Sequence, residues 1–179
     1  MILGFSGKIG SGKSTLSAEV ANQLNWKHAS FGLYVQKVAL SKNIAPTREN
    51  LQNLGARLLS DNAKKFCLSV VKESNWAYGE SLVIEGIRHE EVIEIIRDIT
   101  KPDIFKLIFL KISDKNIRKS RIANRDNTPI NEADEHPTEK EVMNNTLLKR
   151  ADLIVDAEKD ISGLKNQIIQ WIGEREGYK

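Results

Sequence analysis

The 179-residue sequence has little of several features that would point to particular classes of protein. It contains one cysteine, which excludes an internal disulfide framework and a cysteine-rich zinc site. Its three histidines are scattered and lack metal-ligand spacing. No apolar run approaches the roughly 20 residues needed to cross a bilayer, and the apolar start at 1–5 is too short for a signal peptide. We therefore expect a cytoplasmic protein with no membrane partner.

The charge is ordinary in total and uneven along the chain. Hydrophobic residues make up 40% and charged residues 28%, which is typical of one globular domain, and the net charge is +3. Residues 111–126 carry six basic and two acidic side chains, whereas 127–141 carry five acidic and one basic. A general nucleic-acid binder spreads its basic residues along a face. We therefore expect no nucleic-acid partner. We expect the basic segment, residues 111–126, to bind a small anion.

Hydrophobic periodicity predicts alternating strands and helices. Short apolar runs indicate strands at 2–6, 27–31, 82–84, 107–110 and 153–155. Helical spacing predicts helices at 14–24, at 46–70 with a break at 61–62, at 90–99 and at 161–172. A further helix is predicted over the basic segment, and another starts at a capping box, Thr138-x-x-Glu141. This alternation indicates an α/β fold of three layers, with a central parallel sheet of about five strands flanked by helices. Residues 1–179 are expected to form a single domain.

A glycine-rich loop supplies the most specific motif. Residues 7–14, GKIGSGKS, fit G-x-x-x-x-G-K-[ST] between a predicted strand and a predicted helix. Such a loop points its backbone N–H groups at phosphates, beside the positive end of the helix. Lys13 would reach the β- and γ-phosphates, and the Ser14 hydroxyl would bind Mg²⁺. The predicted ligands are therefore ATP and Mg²⁺, with nucleotide contacts from Gly7, Lys8, Ile9, Gly10, Ser11, Gly12, Lys13, Ser14 and Thr15.

The sequence resembles the nucleoside monophosphate kinase group in three features. These are the position of the loop near the N-terminus, the short chain and the arginine-rich segment late in the chain. That group of P-loop kinases includes adenylate kinase, dephospho-CoA kinase and deoxynucleoside monophosphate kinases. The resemblance runs from Gly4 to Ile172. It implies a P-loop NTPase fold, an acceptor-binding insertion at about 32–75 and a small helical lid at about 113–137. A small-molecule phosphate acceptor would be the partner, and the protein would be a monomer or homodimer.

The segment 82–88, LVIEGIR, resembles the strand and D-G-x-R turn of these kinases, with Glu85 in place of the aspartate. The resemblance implies that Glu85 holds Mg²⁺ with Ser14 or orients the acceptor. If the acceptor is a hydroxyl, Glu85 could also accept its proton. Arg88 would hold the phosphate of the acceptor, because its planar fork suits bidentate anion contacts.

Three arginines of the basic segment share one helical face. Arg118, Arg121 and Arg125 are three and four residues apart. The resemblance implies a lid that neutralises the transferring phosphoryl group, with Arg121 and Arg125 as catalytic residues and Arg118 as a nucleotide contact. The alternative is a solvated helix paired with the acidic stretch after it. Both interpretations hold if the acidic residues within 132–135 pair with the arginines in the open form and release them when the lid closes.

The predicted acceptor residues depart from the family pattern. Segment 30–36 resembles S-x-G-D-x-L-R, but Leu33 and Gln36 replace its aspartate and arginine. Lys37 or Arg48 could substitute for the missing arginine, and Gln52 is a further polar candidate. The predicted substrate-binding residues are therefore Lys37, Arg48, Gln52 and Arg88.

Three functions remain open from the sequence. The first is a kinase that transfers the γ-phosphoryl group of ATP to a nucleoside or deoxynucleoside monophosphate. The second is phosphorylation of a hydroxyl, as in dephospho-CoA kinase. The third is an NTP-dependent switch or ATPase that has no small-molecule acceptor.

Overall fold

The computed structural model describes the backbone of residues 1–126 and 136–176, and the side chains of 1–123 and 136–174. Its sheet has five strands, β1 (Ile2–Gly7), β2 (Lys27–Ser30), β3 (Leu82–Glu85), β4 (Phe105–Lys111) and β5 (Leu153–Asp156). They are parallel and lie in the order β2-β3-β1-β4-β5. The predicted α/β fold with a five-stranded parallel sheet is therefore confirmed.

Helices cover both faces of this sheet. They are α1 (Lys13–Leu24), α2 (Phe31–Ser41), α3 (Arg48–Glu73), α4 (Glu90–Ile99), α5 (Lys115–Asp126), α6 (Lys140–Met143), α7 (Thr146–Lys149) and α8 (Ile161–Glu176), with a 3₁₀ turn at Pro137–Glu139. In β4, Leu107 and Phe109 join the core under α2, α3 and α4, whereas Ile108 and Leu110 join the core under α1 and α8. This alternation explains why the strand is a continuous apolar run. None of the helices within the described residues is both long enough and apolar enough to cross a membrane.

The sheet brings the ends of three strands together. Phe5 of β1 and Ser30 of β2 both pair in register with Glu85 of β3. The glycine-rich loop leaves β1 at this same edge. In open parallel sheets, ligands bind at the carboxyl ends of the strands, where neighbouring loops diverge. The fold therefore places the loop, Ser30 and Glu85 side by side.

Helix α3 consists of two helices joined at Asn62. The backbone of Asn62 is extended, with φ −166° and ψ 91°. Its side-chain oxygen accepts a 2.8 Å hydrogen bond from the backbone N–H of Lys65, as a helix N-cap does. The break predicted at 61–62 is therefore present.

Two local features differ from the sequence expectations. Helix α2 was not predicted; Ser30 caps it by accepting a 3.1 Å hydrogen bond from the N–H of Leu33. The predicted capping box at Thr138 is wrong, because Glu141 accepts a 2.6 Å hydrogen bond from the backbone N–H of Glu90 instead. Glu141 thus caps α4, a helix distant in sequence, and His136 caps the 3₁₀ turn.

Candidate functional site

The glycine-rich loop adopts a conformation suited to an anion. Gly10 and Gly12 have φ of +79° and +84°, a region that disfavours residues with a β-carbon. The N–H of Ser11 donates to the carbonyl of Lys8 at 3.1 Å, which closes the turn. The Ser11 hydroxyl is buried and has no hydrogen-bond partner among the described residues. A cradle that ends on a helix N-terminus and holds an unsatisfied donor fits the phosphates of a nucleotide.

A cavity of about 350 Å³ lies on one side of this loop, and we call it the nucleotide-side cavity. It is lined by Gly10, Ser11, Gly12, Lys13, Ser14, Thr15, Leu16, Leu110, Arg121, Ile122, Ala157, Lys159, Ile161 and Leu164. The structure thus brings the predicted lid residue Arg121 to the loop. Its Nη1 donates to the carbonyl of Ala157 at 2.9 Å and lies 3.8 Å from where a β-carbon on Gly12 would be. Of the predicted loop contacts, Gly7, Lys8 and Ile9 do not line this cavity.

Arg118 occupies a different position from the one expected of a nucleotide contact. Its side chain is 5% exposed, and Nε donates to the carbonyl of Ile9 at 2.8 Å. Ile9 and Ile122 pack together, so α5 supports the outside of the loop. Arg118 is absent from the lining of the nucleotide-side cavity. The side chain of Arg125 and the acidic residues of 132–135 lie outside the described residues.

Glu85 contacts the first turn of the loop helix. It is 6% exposed, and its two oxygens accept hydrogen bonds from Ser14 Oγ, at 3.2 Å, and from Ser30 Oγ. The described residues contain no group of three or more His, Cys, Asp or Glu side chains able to hold a metal. Mg²⁺ needs no such group, because it takes one or two protein oxygens and completes its shell with water and phosphates. The adjacent oxygens of Ser14 and Glu85 fit this requirement.

A larger cavity of about 1000 Å³ lies on the other side of the loop helix, and we call it the acceptor-side cavity. Its polar lining includes Lys13, Ser14, His28, Ser30, Gln36, Thr47, Arg48, Gln52, Glu85, Arg88, His89 and Thr138. Its apolar lining comes mainly from α2 and α3 and includes Phe31, Val35, Leu51, Leu59 and Phe66. The structure therefore brings the predicted residues Arg48, Gln52 and Arg88 together with Glu85.

Lys37 is the predicted acceptor residue that the structure places elsewhere. Its side chain is 66% exposed and pairs with Glu73 at 2.5 Å, and it does not line the acceptor-side cavity. Helical geometry explains this position, because Gln36 lines the cavity and the next residue on a helix points about 100° away.

His28 is a cavity residue that the sequence analysis did not single out. Its Nε2 lies 3.1 Å from the hydroxyl of Ser17 in α1. Burial lowers the pKa of His28 below its usual value, an effect that the charge of Glu85 opposes. The period of two in β2 puts His28 and Ser30 on one face, which is the signal that could have identified it.

Residues 136–141, which we call the wall segment, close one side of the acceptor-side cavity. Thr138 lines the cavity, and Glu139 forms an ion pair with Arg88. Glu141 also lies 3.2 Å from Nδ1 of His89. His136 Nε2 lies 3.1 Å from Asn53 Oδ1, and burial and the nearby charge of Arg88 lower the pKa of His136.

Solved structures with the same fold include several small-molecule kinases. Shikimate kinase from Aquifex aeolicus superposes with a TM-score of 0.58 at 15% identity, and covers 100% of both chains. Shikimate kinase from Acinetobacter baumannii, in complex with shikimate, has a TM-score of 0.62 at 13% identity over 97% of this chain and 93% of that one. A gluconokinase from Sinorhizobium meliloti has a TM-score of 0.51 at 13% identity, covering 92% and 86%. At these identities the likeness establishes the fold.

Sequence comparison gives the family. A UPF0200 protein from Aeropyrum pernix is 27% identical over 96 residues, which are 54% of this chain and 51% of that protein. The match therefore spans about half the length of this curated relative. Residues 3–146, from β1 to the first residue of α7, match the AAA domain family AAA_18. The chain thus belongs to the AAA domain family AAA_18, and its glycine-rich loop lies on the fold seen in P-loop kinases such as shikimate kinase.

Proposed function

We propose that the protein is an ATP-dependent kinase that transfers the γ-phosphoryl group to a small nucleotide-like acceptor, with a nucleoside or deoxynucleoside monophosphate as first candidate. The observation that carries this proposal is that Lys13 and Ser14 line both cavities. A phosphoryl group bound at the loop would thus face a second, larger chamber. An NTP-dependent switch without an acceptor needs no such chamber.

On the nucleotide side, catalysis rests on positioning and on charge neutralisation. The loop N–H groups and the positive end of α1 hold the phosphates, and Lys13 reaches the transferring group. Arg121 stabilises the charge of that group in the transition state, together with Arg125 as proposed from the sequence. Mg²⁺, when bound at Ser14 and Glu85, supplies further charge neutralisation at the phosphate oxygens.

On the acceptor side, the cationic groups suit an acceptor that already carries an anion. Arg48 from α3 and Arg88 after β3 line the acceptor-side cavity. An arginine fork binds a phosphate in a bidentate manner. Gln52 can bond a base or sugar, and the apolar side chains of α2 and α3 can contact a ring. These features support a mononucleotide.

The second candidate function is phosphorylation of a hydroxyl, and one observation favours it. Glu85 already accepts hydrogen bonds from two serine hydroxyls at the edge of the acceptor-side cavity. In this reaction an acceptor oxygen bonds to the γ-phosphorus, the bond from that phosphorus to the β-bridging oxygen breaks, and the hydroxyl proton passes to Glu85. The products are a phosphate ester and ADP.

Measuring ADP formation from Mg-ATP with a panel of acceptors tests the proposal. The panel holds ribo- and deoxyribonucleoside monophosphates, dephospho-CoA and buffer alone. We expect ADP to form only with certain acceptors, and Lys13→Met to abolish it. The matched control is Lys42→Met, which removes the charge of an exposed lysine at the end of α2 and leaves turnover unchanged.

Two outcomes of this assay decide between the candidates. ADP formation that is equal with and without every acceptor would refute the kinase proposal and favour the switch. If a hydroxyl is the acceptor, Glu85→Gln lowers kcat by about 100-fold or more, because general-base catalysis is lost. That loss of kcat persists when Mg²⁺ is raised to saturation, whereas a defect in metal binding is overcome.

A further inference from the structure

We propose that Glu139 of the wall segment is a positioning residue for the acceptor. It holds the guanidinium of Arg88 at the wall of the acceptor-side cavity, ready to bind one anionic group of the substrate. This inference rests on the proposed kinase function. It adds a residue that belongs to neither the glycine-rich loop nor the basic segment.

The burial of Glu139 is the first observation. Its side chain is 1% exposed, although glutamate is among the residues least often buried in proteins. A carboxylate is buried in this way when a cation compensates for its lost hydration. Its partner here is Arg88, whose side chain is 28% exposed and lines the cavity. In this pair the carboxylate of Glu139 is therefore buried, whereas Arg88 lines the acceptor-side cavity.

The support on either side of Glu139 is the second observation. Before it, His136 contacts Asn53 of α3 at 3.1 Å. After it, Glu141 accepts from the N–H of Glu90 at 2.6 Å and contacts His89 at 3.2 Å. These contacts fix the wall segment to α3 and to the start of α4. Glu139 thus lies on an anchored piece of backbone and can hold Arg88 in place.

Prior orientation of Arg88 has a measurable consequence for acceptor binding. Immobilising a long side chain on binding costs about 0.5–1.5 kcal/mol, which corresponds to roughly 2- to 10-fold in affinity. Because Glu139 has already restricted the guanidinium of Arg88, the acceptor loses less affinity to the ordering of that side chain. The pair also cancels one unit of charge in the wall, so the site matches a single anionic group better than a polyanion.

The experiment compares Glu139→Gln with Glu91→Gln, which removes the same charge at an exposed position of α4. With the best mononucleotide of the panel, we expect Glu139→Gln to raise the acceptor KM about 3- to 10-fold, while kcat and the KM for ATP stay unchanged. In an Arg88→Met background, Glu139→Gln should have no further effect on the acceptor KM. A lower KM would show that Glu139 competes with the acceptor, and an unchanged KM would show no role; either result overturns the proposal.

A spectroscopic readout keeps this test separate from the kinase proposal. The Nε–H signal of Arg88 in ¹⁵N NMR is assigned by its loss in Arg88→Met. We expect Glu139→Gln to broaden it or to speed its exchange with water, whereas Glu91→Gln leaves it unchanged. If the signal is the same in Glu139→Gln and wild type, Glu139 does not hold Arg88 and the proposal fails. This result is obtained even if no acceptor in the panel is phosphorylated.

Discussion

Replacing Arg118 by methionine tests whether α5 supports the nucleotide loop from outside. Arg118 is 5% exposed, and its Nε–H donates to the Ile9 carbonyl at 2.8 Å. Methionine keeps most of the apolar stem and removes the donor. A hydrogen bond from a charged donor contributes about 1.5–3 kcal/mol. In a domain of this size each kcal/mol corresponds to roughly 2–4 °C, so we expect Tm to fall by about 3–12 °C.

The same change should weaken nucleotide binding only moderately. Ile9 lies inside the glycine-rich loop, so losing its support lets that part of the loop move before the nucleotide binds. Ordering one residue costs about 1 kcal/mol, which predicts a roughly fivefold rise in the Kd for ATP. This small rise differs from the large loss expected when a direct phosphate contact is removed.

Urea unfolding and calorimetric titration with ATP measure the two effects. The matched control is Lys119→Met, which removes a positive charge from an exposed position on the same helix and should change neither value. Equal stability of the Arg118 and Lys119 variants would refute the supporting role. A Kd for ATP raised about 100-fold or more with unchanged stability would instead make Arg118 a phosphate ligand, as the sequence suggested.

Three further predictions concern the site. Arg121→Ala should lower kcat by about 100-fold or more with little change in the Kd for ATP, because a lid arginine acts on the transition state; equal losses in both would refute that role. Gly10→Ala should destabilise the protein by about 1–2 kcal/mol in urea, because φ is +79° and its β-carbon would lie 3.0 Å from Ile122 Cγ1. Burial lowers the pKa of His28, so the folded state favours the neutral imidazole. The resulting stability is present above pH 6.5, the ordinary pKa of histidine, and is lost as pH falls below that value. His28→Gln should therefore flatten the decline of the urea midpoint between about pH 7 and about pH 5, and an unchanged decline would contradict this.

The sequence was most informative where one local pattern determines the structure. The apolar run 107–110 predicts a strand whatever surrounds it, and it lies within β4. The glycine-rich loop is equally local, because its glycines, lysine and serine are adjacent in the chain. The helix predicted at 90–99 is α4, and the acidic residues Glu90 and Glu91 occupy its first turn, where they suit the positive end of the helix.

The sequence was least informative where a side chain finds a partner distant in the chain. Helical spacing places Arg118 on a face but does not show that this face meets the Ile9 carbonyl, 109 residues away in sequence. The pattern around Thr138 satisfies the rule for a capping box, yet Glu141 caps α4 because the fold brings that helix N-terminus closer. The pairing of Glu139 with Arg88 is likewise tertiary. The sequence associated the acidic stretch with the lid arginines, whereas its described part contacts an acceptor-side arginine.

The capped break at Asn62 divides α3 into two parts that differ in how many side chains they bury. The part before Asn62 supplies Arg48 and Gln52 to the acceptor-side cavity, and Leu54 is its one buried side chain. The part after Asn62 supplies four buried core side chains, from Phe66 to Val71. Because Asn62 starts the second helix independently, substitutions at the polar cavity-lining positions of the first part, Arg48 and Gln52, can reshape the acceptor-side cavity at little cost to the core. Residues 48–61 are therefore the part of this fold where a new acceptor preference could evolve, or be selected in the laboratory, with the nucleotide loop left intact.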